Sequence, residues 1–272
     1  MKKKWIYGLV IVVIFLIGGG YLLHNNSTTV KSDNGDKASL VKNGTLTIGL
    51  EGTYAPFSYR QDGKLKGFEV DLAKKVAEKS GLKAKFIPTT WDGLIAGVGA
   101  NKFDVVFNDV AITPERQAKY LFATPYLYSR EVLVVRKDNK ELKNYKDVKG
   151  HTLAEGVGSN NETIAKKFGA KTIASSEFTN TVSLIKQGRA EGAFNDEGAF
   201  ATYIKDNPAD AKVLKAIKVP TSASPAAKIA PILNKKNKGL QKQLNRAITK
   251  LIDDGTIKRL SVQYFGSDLT QK

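Results

Sequence analysis

The sequence predicts an α/β protein of two lobes, and three observations carry that prediction. From Thr45 onward, short β-rich runs alternate with stretches of helical periodicity, the pattern of a sheet whose strands are largely parallel. A strand-helix-strand-helix-strand plan occurs twice, without obvious repetition of sequence. A chain of 272 residues, 42% of them hydrophobic, supplies enough apolar material for two such cores.

The first strand is Leu46 to Leu50. A loop, Glu51 to Phe57, leads to a hairpin turned at Asp62-Gly63, residues that accept the backbone of a tight turn. Phe68, Leu72, Ala73, Val76 and Ala77 then fall on one helical face, Lys74, Lys75, Glu78 and Lys79 face water, and Gly81 stands where a helix ends. Phe86-Ile87 reads as a second strand, Trp91 to Val98 as a helix, and Phe103 to Phe107 as a third strand. After a connecting segment the second unit runs through a strand at Thr152 to Glu155, a helix from about Asn160 to Phe168, and a strand at Thr172 to Ala174. A helix through Val182, Leu184 and Ile185 follows, then a strand ending at Asp196. The chain returns past Pro220 and Pro225 to a strand near Lys228 to Leu233. Two amphipathic helices close it, one carrying Leu240, Leu244, Ile248 and Leu251, the other Ile257, Leu260, Val262 and Phe265.

Composition removes several functions. There are no cysteines, so disulfides, thiolate chemistry, cysteine zinc sites and a lipid-modified cysteine are excluded together. With His24 and His151 the only histidines, a metal centre or a Ser-His-Asp triad would have to be built around a single imidazole. A net charge of +17 lies spread along the chain with no aromatic-interleaved basic motif, which argues against nucleic acid and for a solvated, lysine-rich exterior. At the N-terminus, Lys2, Lys3 and Lys4 precede an uncharged run from Trp5 to Leu23, which as a helix would span about 28 Å. Residues 1–23 therefore read as a signal peptide or an uncleaved membrane anchor, with 24–43 a polar linker.

Open α/β sheets bind ligands beyond the carboxyl ends of their strands, so the loops there are the candidates. Asn108 to Arg116 leaves the third strand and enters a helix with Thr113 as N-cap and Pro114 at the first position. Arg116 beside that helix terminus suits a carboxylate, through a bidentate fork and exposed N–H groups. The same residues would equally make a well-capped helix with an exposed arginine. Gly156 to Glu162 is a glycine-rich turn that lacks both a dinucleotide fingerprint and a phosphate loop. Its Ser159 and Glu162 form a capping box, or the serine grips the same anion as Arg116 from the opposite lobe. Asp196, at a strand end, could receive an ammonium group or cap the helix after it. Tyr54 and Trp91 could flank a ligand or belong to the core.

At Glu51 to Phe57, Gly67 to Ala73, Trp91 to Gly97, Ala111 to Arg116 and Phe122 to Tyr126, the chain resembles family 3 extracellular solute-binding proteins of amino-acid ABC importers. The wording of Glu51 to Tyr54, Trp91 to Leu94 and Ile112 to Arg116 is most similar to the cystine-binding branch. The resemblance implies a type 2 periplasmic-binding-protein fold, two α/β lobes joined by two hinge strands. Lobe 1 would comprise 44–130 and 222–272, and lobe 2 131–221.

Carried over by position, Arg116 would bind the α-carboxylate, helped by backbone groups around Asn108, Asp109, Ala111 and Thr113 and by Ser159 and Asn160. Asp196 would take the ammonium, and Tyr54 and Trp91 would flank the ligand. The family often has Gly-Thr-Thr where this chain has Gly158-Ser159-Asn160. The implied partners are a free amino acid, cystine or another polar one, and ABC permease subunits with their ATPase. The cell membrane would be reached through the N-terminal segment, placing the protein on the extracytoplasmic face. No cofactor, metal, catalysis or nucleic acid is expected. Two other readings remain, a ring dehydratase on the same fold with Glu155 or Glu197 as general acid, and a basic adhesion or nucleic-acid-binding module whose binding would be salt-sensitive.

Overall fold

The computed structural model describes residues 37–271, which fold into two α/β lobes; the N-terminal apolar segment and most of the linker lie outside the described residues. Lobe 1 is built on a five-stranded sheet in the order Lys83–Pro88, Thr45–Leu50, Val105–Val106, Ile232–Asn234, Tyr120–Phe122. Its first three strands are parallel, while Ile232–Asn234 runs antiparallel to both neighbours. Thr45–Leu50 is buried along nearly its whole length, as a central strand covered on both faces must be. The helices Phe68–Lys79, Lys238–Asp253 and Thr256–Phe265 pack together on the sheet, and Phe68, Leu72, Leu244 and Ile248 are inaccessible to solvent.

The second lobe has the same plan, with the order Lys171–Ala174, Thr152–Glu155, Gly192–Asp196, Glu131–Arg136, Leu214–Lys218. The first three are again parallel, and Glu131–Arg136 runs antiparallel to both its neighbours. Leu133, Leu153 and Phe194 form one side of its core, Val134, Ile185 and Ala193 the other. Between the lobes, Leu127–Ser129 and Ala227–Ile229 pair antiparallel, Ala227 opposite Ser129 and Ile229 opposite Leu127. These are the two hinge strands, one for each passage of the chain. The C-terminal tail braces them where Tyr128 N–H donates to the Leu269 carbonyl at 2.8 Å.

Several elements differ from the sequence reading for identifiable reasons. The sheets are mixed rather than largely parallel, because each lobe borrows strands from the crossing segments. The run expected as one strand over Lys228 to Leu233 is broken at Ala230 and Pro231, so one half serves the hinge and the other the lobe 1 sheet. Of Phe103 to Phe107 only Val105–Val106 is strand. The connecting segment before Thr152 contains the helix Pro114–Lys119 and three strands, and Leu214–Lys218 is a further strand absent from that reading. The hairpin turn is as expected, with positive φ at Asp62 and Gly63 between Tyr59–Gln61 and Lys64–Lys66.

Candidate functional site

The carboxyl ends of both parallel strand sets open toward each other and enclose a cavity of about 100 Å³. From lobe 1 its wall includes Tyr54, Trp91, Asn108, Asp109 and Arg116; from lobe 2 it includes Glu155, Ser159, Asn160, Phe178 and Asn195. Seven of the ten residues singled out in the sequence therefore share one crevice. Ala111, Thr113 and Asp196 are not on its wall.

Arg116 is fixed by the local sequence. Pro114 opens the helix Pro114–Lys119, and the Thr113 hydroxyl accepts the Arg116 N–H at 3.2 Å. The side chain then turns inward and is 8% exposed. Its Nη1 donates to the Ala111 carbonyl at 2.9 Å, and its Nη2 crosses the cleft to the Gly158 carbonyl at 3.1 Å. Its guanidinium carbon stands 5.2 Å from the centre of the Trp91 ring. Ala111 and Thr113 thus act on the arginine rather than on the cavity. The alternative of an exposed surface arginine does not hold.

The other cleft residues also bridge the lobes. Trp91 Nε1 donates to the Val157 carbonyl at 3.1 Å, and the Tyr54 hydroxyl donates to Asn195 Oδ1 at 2.8 Å. The Tyr54 ring is stacked on Phe57 and meets Phe178 edge-on. Its loop is set by Gly67, whose φ is 131° and where an added Cβ would lie 2.2 Å from the Phe57 carbonyl oxygen. Ser159 caps the helix Asn160–Lys167 by accepting the Glu162 N–H at 3.0 Å, and the Glu162 carboxylate returns to the Gly158 N–H at 2.8 Å. Asn160 donates to Glu131 Oε1 at 3.0 Å.

Asp196 is buried and lines a separate crevice with Tyr128, Arg130 and Phe265. It caps the helix Glu197–Asp206, accepting the Ala199 N–H at 2.7 Å through Oδ1 and the Ser129 hydroxyl at 2.7 Å through Oδ2. The neighbouring Asn195 faces the cavity instead, as alternation along a strand requires.

Asp109, Glu155 and Asp196 stand out in the sequence, but the concentration of buried carboxyl groups around them in a basic protein does not. Glu51 on the cavity wall is tied to Asn108, which donates to its Oε2 at 2.6 Å and accepts its N–H at 2.8 Å. Glu69 accepts the Asp109 N–H at 2.7 Å and also the Tyr126 hydroxyl. Glu155 accepts the Phe194 N–H at 2.8 Å. Burial pushes the carboxyls of Glu51 and Glu69 up to about 7 and that of Glu131 to about 8. Those of Asp109 and Glu155 also rise, burial again being the main cause. Oxygens of Glu69, Asp109 and Glu131 are buried without a hydrogen-bond partner among the described residues. Among those residues no group of three acids or histidines is arranged to hold a metal ion.

The family model described as bacterial extracellular solute-binding proteins, family 3, matches residues 46–267. A probable amino-acid ABC transporter-binding protein of Haemophilus influenzae is 38% identical over 231 residues, covering 85% of this chain and 88% of that one. An L-cystine solute receptor of Neisseria gonorrhoeae, solved in its unliganded open conformation, is 39% identical, with a TM-score of 0.55 over 84% of this chain and 95% of that one. An ancestral arginine-binding protein bound to glutamine is 31% identical, with a TM-score of 0.77 over 83% of this chain and all of that one.

Proposed function

Since the chain belongs to the bacterial extracellular solute-binding proteins of family 3, we propose that it captures one amino acid between its lobes and presents it to an ABC permease. The family is extracytoplasmic. The observation that carries the reading is the buried guanidinium of Arg116, held by its own loop on one side and reaching the opposite lobe on the other.

In this mechanism the α-carboxylate displaces the Gly158 carbonyl from Arg116 and meets the start of the helix Asn160–Lys167, where Ser159 and the first N–H groups favour an anion. Tyr54 and Trp91 cover the ligand from lobe 1. Its ammonium is left to a nearby carboxyl group, for which the sequence nominates Asp196, buried next to Asn195 of the cavity wall. Lobe 1 comprises 44–130 and 222–272, lobe 2 comprises 131–221, and the paired hinge strands carry the motion. A ligand touching both lobes favours the shut form, and only that difference in affinity moves the hinge equilibrium.

The described structure corresponds to the shut form. Tyr54, Trp91 and Arg116 each make a direct bond across the cleft. The match to the open receptor is the weaker in shape although it is the stronger in sequence. Cystine is the first ligand to try, and residues 1–23 serve as anchor or signal with 24–43 as tether.

A thermal-shift screen against the proteinogenic amino acids and cystine tests the reading. At a hundredfold excess over its dissociation constant a matching ligand adds about 2.7 kcal/mol, so a clear rise in unfolding temperature is expected for one or a few of them. A flat response across the panel would reject it. Glu155, buried on the cavity wall, is the one observation favouring the ring-dehydratase alternative. Recovery of the bound compound chemically unchanged after long incubation is the result expected of a carrier.

A further inference from the structure

We propose that the base of lobe 1, the end remote from the crevice, is a docking surface for the anionic phospholipid face of a membrane. The inference goes beyond the amino-acid reading and does not depend on which ligand the crevice takes. From that reading it borrows only the apolar leader that precedes the fold. The strand Thr45–Leu50 runs from this base to Glu51 on the cavity wall, so the two ends of lobe 1 lie about 20 Å apart.

The register of the sheet collects lysines at this base. The Lys42 carbonyl accepts the Thr45 N–H at 3.0 Å, and Lys83 stands opposite Thr45 on the neighbouring strand. Lys102 comes two residues before Asp104, whose N–H donates to the Thr47 carbonyl at 2.9 Å. Lys235 and Lys236 follow Ile232–Asn234, a strand that runs the other way and so ends where the parallel strands begin. All five side chains are exposed, and none of them forms an ion pair among the described residues. Asp104, the acid in their midst, is 4% exposed and already committed, its Oδ1 accepting the Val41 N–H and its Oδ2 the Thr47 N–H, each at 2.7 Å. The base therefore keeps a positive charge that its own acid does not offset.

The chain also enters the fold on this face. Ser39 is bonded to Asn237 in both directions: its N–H donates to Oδ1 at 3.2 Å and its carbonyl accepts from Nδ2 at 2.7 Å. Whatever precedes residue 37 is thus attached at the base, and in the sequence that includes the uncharged run from Trp5 to Leu23. Val41, 51% exposed beside Lys42, adds an apolar side chain to the same surface. A leader held in lipid would keep these lysines at high local concentration near the headgroups, where each contributes about fivefold to binding. A soluble polyanion carries the same charge but does not lie at the end of the leader. Docking by the base holds lobe 1 and leaves lobe 2 free to close.

The experiment uses residues 35–272, because Gly35–Lys272 is a compact unit of its own and an apolar leader would enter any lipid. Its co-sedimentation in low-salt buffer is measured with vesicles of phosphatidylcholine alone, and of phosphatidylcholine and phosphatidylglycerol in equal parts. Two triple variants are compared with it: K42Q/K102Q/K236Q, and K140Q/K143Q/K171Q, which removes the same charge from exposed lysines of lobe 2. Binding is expected to the phosphatidylglycerol vesicles and not to the neutral ones. It should weaken about a hundredfold in the first variant and by less than about threefold in the second. Amino-acid affinity and unfolding temperature should match in all three proteins, so failure here leaves the crevice reading standing.

Equal weakening in the two triple variants would mark a diffuse effect of net charge and overturn the proposal. Equal binding to neutral vesicles, or none to either kind, would do the same, as would capture by soluble poly(glycerol phosphate) without capture by the vesicles. If the first triple variant does not fold, K236Q alone should weaken binding about fivefold while K140Q leaves it unchanged.

Discussion

Arg116 has two directional bonds to carbonyl oxygens on opposite sides of the cleft, and a lysine offers no planar fork to replace them. R116K is therefore expected to weaken amino-acid binding by about tenfold or more, a loss of roughly 1.5 to 3 kcal/mol, with titration calorimetry as the check. The raised carboxyls make a second prediction. Glu131, at about 8, and Glu51 and Glu69, at about 7, stay protonated in the folded chain at pH values where the unfolded chain, near 4.5, has released its protons. Their contribution to stability is complete below about pH 4.5 and is lost as pH rises toward 8. The ligand-free protein should unfold at a higher temperature at pH 5 than at pH 8, and E131Q should flatten that slope.

This cluster of buried acids was only partly legible. Glu69 occupies the same helical face as Leu72, Ala73 and Val76, so its burial was written in the spacing. Glu131 lies in a segment read as mere connection, and nothing local to it marks its depth. Asp196 was recognised as either ligand group or cap. The structure shows the cap, and its approach to a ligand depends on side-chain direction, which spacing does not encode.

Short capped helices aim the site. Thr113 fixes the first turn of Pro114–Lys119, which is only six residues long and carries Arg116 at its third position. T113A should cost about 1 kcal/mol of stability in denaturant unfolding, and should also weaken binding because the arginine loses its fixed start. At Gly67 an added methyl group would collide with backbone, so G67A should destabilise lobe 1 by roughly 1 to 3 kcal/mol and disturb the Tyr54 loop.

Elements of this kind were readable because caps, turns and glycines act over a few residues. Both long C-terminal helices and the Asp62-Gly63 hairpin followed from the same local rules. What escaped were the strands Tyr120–Phe122, Glu131–Arg136 and Leu214–Lys218, whose pairing partners are distant in sequence, and the break at Ala230-Pro231, where one apolar run is shared between hinge and sheet.

Across the whole molecule, the chain passes twice between lobes through one antiparallel pair of strands, an arrangement that permits bending while each five-stranded sheet stays rigid. The shut form is held by cleft-spanning bonds from Tyr54, Trp91 and Arg116, and an amino acid would have to replace them with contacts of its own. Small-angle X-ray scattering of the purified chain, recorded without and with a saturating amino acid from the thermal screen, tests this most directly. The ligand-free chain should scatter as a more extended particle and contract on saturation to the profile calculated from the closed structure. An unchanged profile, with calorimetry showing the site filled, would contradict it.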